Sequence, residues 1–355
     1  MFVVNITICS IVILAVKGDI EDKSPAPSNS FYSFHVVPPI DSLYSTPFIT
    51  YMSSPTLKRL KRNVVYFTVR AAMIKFNLLP RWLAVGSGGF VGWVAWACLP
   101  RDRARMHEHL RMAFGNSLTV AQRRRIGRRF FVNSGKNLVD VLRFKRHYAH
   151  DIKPNLKVEG LEHFDKAYKA GHGLIGVTGH IGNFELLAVH MASLGYRIAV
   201  IGRELYDPRL DALLVENRAS MGLTNLATTD SPKKYLSWLK GGGALGVLID
   251  TDSMRVRSMF VPALGRLSNT PVGQTILGLR AGSAFLPMAC VREPGNRYKI
   301  IVKPPIEYQL TQDFEADVKN VTALCTKELD EIIRAYPDQW IWIHNRWNTR
   351  PPDTP

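Results

Sequence analysis

Gly-Leu-Ile-Gly-Val-Thr-Gly-His-Ile-Gly-Asn-Phe-Glu, residues 173–185, is an apolar run that stops at a glycine, passes a histidine and continues as Phe184 to Leu194 with helical spacing. Gly173 to Thr178 reads as a buried strand and Phe184 to Leu194 as a helix, so the intervening turn lies at the carboxyl end of a strand. The same alternation runs on either side of it. Arg197 to Ile201, Ala244 to Ile249, Ala284 to Val291 and Tyr298 to Val302 read as further strands. Pro208 to Met221, Pro232 to Lys240, Pro271 to Ala281 and Phe314 to Ala335 read as helices. Strands alternating with helices predict an α/β domain over residues 151–350. Its largely parallel central sheet is flanked by helices, and its ligand crevice lies beyond the carboxyl ends of the strands.

That placement puts His180 in the crevice, with Gly179 and Gly182 relieving backbone crowding and Glu185 about one helical turn further on. A histidine oriented by a carboxylate is a general base, and the spacing predicts that Glu185 reaches back to His180. No Gly-x-Ser-x-Gly elbow occurs. The expected chemistry is therefore direct attack of an acceptor hydroxyl on an acyl thioester, with no acyl-enzyme. Backbone N–H groups around Gly182 and Asn183 are the expected donors to the oxyanion. The cysteines, Cys9, Cys98, Cys290 and Cys325, form no CxxC pair, so neither a disulfide framework nor a metal site is indicated, and no cofactor is called for.

The net charge of +17 is concentrated at one end. Residues 52–150 carry 20 Lys and Arg against three acids, Asp102, Glu108 and Asp140, whereas the remainder balances. Such a block attracts a polyanion, either nucleic acid or an anionic membrane surface. The apolar sequence inside it favours the membrane. Trp82 to Leu99 is an uncharged run of 18 residues, just long enough to span a bilayer, although Gly86, Gly88, Gly89 and Gly92 weaken the helix and also suit a tilted, re-entrant or interfacial segment. From Arg101 to Arg146 the pattern is helical, with Arg123, Arg124, Arg125, Arg128 and Arg129 beside Ile126, Phe130 and Phe131. Residues 52–150 are thus expected to form a basic, membrane-associating helical region. Residues 1–51 read as a disordered or non-native extension, with Met52 a candidate start beside Met1.

Several ordered motifs carry a resemblance. They are Thr-Gly-His-Ile-Gly-Asn-Phe-Glu at 178–185, Ile-Gly-Arg at 201–203, Phe-Val-Pro with Leu-Gly-Arg at 260–266, Thr-Pro-Val-Gly at 270–273, Leu-Arg-Ala-Gly at 279–282, and Tyr-Pro-Asp-Gln-Trp-Ile-Trp-Ile-His-Asn-Arg-Trp at 336–347. Together these resemble the bacterial lipid A biosynthesis (lauroyl/myristoyl) acyltransferases, which are related to the lysophospholipid acyltransferase superfamily by a His-x4-acid motif, here His180 and Glu185. The resemblance implies a glycerolipid acyltransferase-like fold and an enzyme on the cytoplasmic face of the bacterial inner membrane. It also implies acyl carrier protein or acyl-coenzyme A as donor and a glycolipid hydroxyl, most simply on a lipid A precursor, as acceptor. Arg203 matches a family arginine suited to gripping a phosphate. Asp250 and Asp252 match acidic crevice positions that orient an acceptor or structure the loop. Ala263 and Leu264 stand where members carry consecutive aromatics, and Asp-Thr-Asp stands where Asp-Gln-Asp is common, so chain length and acceptor do not carry over.

Other readings fare worse. The basic block permits nucleic-acid binding, but it contains an 18-residue uncharged run and no recognisable nucleic-acid module. Gly241 to Gly246 satisfies G-x-G-x-x-G, yet these glycines follow a helix and enter a strand, the reverse of a dinucleotide fingerprint. An acyltransferase for another membrane lipid keeps the fold and changes only the acceptor.

Overall fold

The computed structural model describes residues 55–254 and 256–351. The expectations for residues 1–51 and for Met52 fall outside these. Helices α1 (Pro55–Leu78), α2 (Arg81–Cys98), α3 (Pro100–Phe114) and α4 (Val120–Leu142) come first. The α/β part then runs β1 (Leu156–Glu159), α5 (Leu161–Lys169), β2 (Leu174–Thr178), α6 (Phe184–Ser193), β3 (Ile198–Gly202), α7 (Pro208–Ala219), β4 (Thr224–Ala227), α8 (Pro232–Lys240) and β5 (Ala244–Leu248). A hairpin of β6 (Ser258–Ala263) and β7 (Arg266–Pro271) precedes α9 (Gly273–Ala281), β8 (Ala284–Glu293), β9 (Arg297–Val302) and α10 (Phe314–Ala335).

Seven strands form one sheet in the order β1-β9-β8-β2-β5-β3-β4. All its pairings are parallel except β8 with β9. β2 lies at the centre, and its five residues are all buried, as expected for a strand covered on both faces. One face packs on α5 and α6 through Phe164, Leu187, Met191, Ile198 and Met288. The other packs on α8 and α10 through Leu239, Val321, Cys325 and Leu329, and Phe130 and Phe131 of α4 join that same core. The basic segment is therefore not one continuous helix: it breaks at Gly115–Ser117, and a Thr119–Gln122 capping box restarts it as α4.

Gly88 and Gly92 of α2 serve packing. A Cβ on Gly88 would sit 2.6 Å from the Gly135 carbonyl oxygen, and one on Gly92 would sit 2.1 Å from that of Phe131, so α2 and α4 approach backbone to backbone. No single helix among the described residues is long and apolar enough to cross a membrane; α2 and the segment Pro100–Ser117 meet that test only as a pair bent by 89°. α1 nevertheless carries an exposed apolar stripe. Leu60, Val64, Phe67, Ile74 and Leu78 recur at helical spacing on the outer face, while Val65, Val69 and Phe76 are buried. Trp82, Phe90 and Trp93 continue this exposed apolar surface on α2.

Candidate active site

His180 follows β2 by two residues, and Asp250 follows β5 by two. The strands pair in register, with Thr178 opposite Leu248, so the histidine and the carboxylate emerge side by side at the carboxyl end of the sheet. His180 Nδ1 lies 2.7 Å from Asp250 Oδ1, and the His180 backbone N–H donates to Asp250 Oδ2 at 2.7 Å. Trp340 Nε1–H donates to the same Oδ2 at 2.7 Å. Burial acts to raise the Asp250 pKa. The charge of His180 and the hydrogen bonds from His180 and Trp340 outweigh it, holding the carboxyl well below the usual carboxylate range. A carboxylate accepting at Nδ1 fixes the proton on that nitrogen and leaves Nε2 as the base.

The expected partner, Glu185, is engaged elsewhere. It forms a bidentate pair with Arg218, Nη2 to Oε1 at 2.6 Å and Nε to Oε2 at 2.9 Å, with both side chains largely buried. The reading that Glu185 orients His180 is thus corrected: Asp250 holds the imidazole, because the neighbouring strand delivers it at Nδ1 while α7 brings Arg218 to Glu185. Glu185 still lines the His180 crevice, together with Phe184, Ser134 and Asn137.

The expected oxyanion donors are corrected as well. Gly182 N–H donates to the Gln339 carbonyl at 2.9 Å and Asn183 N–H to the Cys290 carbonyl at 2.8 Å, so both amides are committed to the fold. Gly182 has φ +58°, and a Cβ there would lie 1.9 Å from the Cys290 oxygen, which restricts the position to glycine. Asn183 caps α6, its side-chain oxygen accepting from Leu186 N–H at 3.1 Å. The next amides, of Phe184 and Glu185, belong to the first helical turn, which has no intrahelical partners for its N–H groups.

Asp252 accepts from the Thr349 N–H at 2.7 Å, the Thr349 hydroxyl at 2.8 Å and the Asn269 amide at 3.1 Å, so it ties the loop after β5 to the C-terminal segment. Arg203 is exposed just past β3 and lines an apolar cavity between α6 and the sheet.

Sequence reasoning missed several contributors. Trp340 and Trp342 are both buried, and the Trp340 indole anchors Asp250. Asn137 of α4 donates to the Gly182 carbonyl at 2.9 Å. Behind it Asp140, Arg292 and Tyr298 form a buried network, with Arg292 Nη2 on Asp140 Oδ2 at 2.7 Å and the Tyr298 hydroxyl on the same oxygen at 2.8 Å. These long-range contacts have no local signal, although a lone aspartate within an otherwise basic helix was one visible mark.

The family model for bacterial lipid A biosynthesis acyltransferases matches residues 52–349. The chain is 26% identical to the lipid A biosynthesis lauroyltransferase of Escherichia coli K12 over 75% of its own length and 85% of that protein's. It is 27% identical to the lipid A biosynthesis palmitoleoyltransferase of the same organism, over 55% of this chain and 62% of that one. It is also 24% identical to the phosphatidylinositol mannoside acyltransferase of Mycobacterium tuberculosis H37Rv, over 54% and 59% respectively.

Proposed function

Because this chain belongs to the bacterial lipid A biosynthesis acyltransferase family, we propose that it transfers a fatty acyl group from a thioester to a hydroxyl of a membrane glycolipid, a lipid A precursor first among them. The observation that carries the mechanism is the His180 imidazole, pinned through Nδ1 by Asp250 at the mouth of the crevice. The acceptor hydroxyl donates its proton to Nε2 as its oxygen attacks the thioester carbonyl. Asp250 stabilises the resulting imidazolium, and the positive end of α6, through the Phe184 and Glu185 amides, faces the tetrahedral oxyanion. Collapse breaks the carbon–sulfur bond, and the leaving thiolate takes the proton back from His180.

An acyl-enzyme is unnecessary on this route. Burial pushes the Cys290 thiol far up and Cys325 up to about 12, so neither supplies a thiolate nucleophile at neutral pH. The donor is acyl carrier protein or acyl-coenzyme A. The exposed stripe of α1 and α2, flanked by Arg59, Arg62, Arg70 and Lys75, fits in-plane docking on the anionic cytoplasmic face of the inner membrane.

The test is to incubate purified protein with both donor types and with two acceptors, a lipid A precursor and a phosphatidylinositol mannoside, and to identify products by mass spectrometry. An acylated lipid A precursor supports the reading. Acylation of the mannoside alone replaces the acceptor, and no acylation with any pair refutes it.

A further inference from the structure

The cavity between α6 and the sheet owes its existence to two missing side chains. On the face turned to α6, β2 presents Leu174, Gly176 and Thr178, and β5 presents Ala244, Gly246 and Leu248. Gly176 and Gly246 are paired in register, so the two central strands both lack a side chain in the same row. Around this row the same side of the sheet carries Leu174, Ile198, Val200, Leu286 and Met288. The result is an apolar cavity, part of it open to solvent. Thr178, two residues before His180, lines it, and Phe184 and Glu185 line both it and the His180 crevice. From Thr178 to Leu174 the strand advances by roughly 13 Å at about 3.3 Å per residue. That is the extended length of roughly ten carbons at about 1.3 Å per methylene.

Resting on the acyl-transfer reading, we propose that the donor's acyl chain lies in this cavity and that Gly176 and Gly246 set the chain length the enzyme accepts. The carbonyl end stays by His180, and the methylenes run over the glycine row. Leu174, Ala244 and Ile198, the first residues of β2, β5 and β3, line it at the strand ends away from His180. Met288 and Val200 are the side walls: a Cβ on Gly176 would lie 3.5 Å from Met288 Sδ, and one on Gly246 would lie 3.4 Å from Val200 Cγ1. Both are ordinary contact distances. Alanine therefore fits at either position without displacing the backbone, and what it removes is room for the ligand.

The experiment measures kcat/KM over a series of acyl donors of increasing length for the wild type, Gly176→Ala, Gly246→Ala, the double variant and Met288→Ala. A single methylene in an apolar pocket changes kcat/KM by about tenfold or more. The double variant should accordingly lower the ratio of the longest accepted chain to one four carbons shorter by at least about tenfold, with the shorter chain still turned over. Met288→Ala should move the ratio the other way, and it keeps the test decisive if the double variant folds poorly. Unchanged length profiles in active variants overturn the inference and leave the acyl-transfer reading standing. A wild type that transfers no acyl chain of any length overturns that reading, and the inference falls with it.

Discussion

Replacing Asp250 by Asn tests which carboxylate serves His180. The carboxylate accepts three hydrogen bonds at 2.7 Å, from the His180 ring, the His180 backbone and the Trp340 indole. An asparagine has one acceptor oxygen and one donor nitrogen at this place. If the oxygen faces the ring, the NH2 group meets two other donors. If it faces those donors, the NH2 group confronts Nδ1, the ring proton moves to Nε2 and the base is lost. Either outcome is costly. Charge-assisted hydrogen bonds of this kind contribute about 1.5–3 kcal/mol each, so a loss of stability of about 2–5 kcal/mol is expected. The fixed tautomer is worth roughly 10⁴ in kcat in comparable triads. Glu185→Gln should instead weaken the tie to Arg218 and lower kcat much less. The assay is acyl transfer at saturating donor on folded protein, with unfolding midpoints measured in parallel. If Asp250→Asn stays within about tenfold of the wild type while Glu185→Gln abolishes turnover, the assignment is wrong.

Other outcomes are equally definite. Gly182→Ala drives a Cβ into the Cys290 carbonyl at a positive φ and should destabilise by roughly 3 kcal/mol or more, read from chemical denaturation; a neutral effect would contradict the turn geometry. Phe67→Glu combined with Ile74→Glu and Leu78→Glu places charges on the exposed stripe of α1, and flotation with anionic vesicles should fall at least about tenfold while soluble fold content is retained; unchanged flotation would remove α1 from the membrane face. Asp330 has its pKa pushed up to about 6 by burial, against the pull of the Leu264 N–H and of Arg346 and Arg334. A raised carboxyl stabilises the fold below its unfolded pKa and loses that contribution as pH rises through about 6. The stability of Asp330→Asn relative to wild type should therefore rise from pH 4 to pH 7 by up to about 3 kcal/mol, and a flat difference would refute the shift. Asp250, with its pKa depressed, has the opposite sign and contributes stability above the carboxylate range that acid removes.

The strand, turn and helix around His180 were legible because a buried parallel strand, two glycines and an asparagine cap are all local signals. The bounds of Pro232–Lys240 and Phe314–Ala335 were legible for the same reason: a proline at N1 and an apolar periodicity set them. β1, Leu-Lys-Val-Glu, and β4, Thr-Asn-Leu-Ala, were missed because they are short edge strands whose pairing partners, not their composition, make them strands. The hairpin β6–β7 was seen only as motifs. At the site, the His180–Glu185 spacing pointed to the wrong carboxylate because sequence proximity was the only distance available. Asp250 is 70 positions away, and only the register of β2 with β5 makes it equivalent to His180. Its position two residues past a central strand, like that of His180, was the available hint. Likewise the α2 glycines read as helix-weakening until Gly135 and Phe131 of α4 appeared against them.

The most direct measurement is acyl transfer to a lipid A precursor by wild type and His180→Ala at equal, saturating donor, with donor binding measured separately. With His180 as the base, turnover falls at least about 10³-fold in the variant while donor affinity is unchanged. Turnover by His180→Ala at the wild-type rate would contradict it.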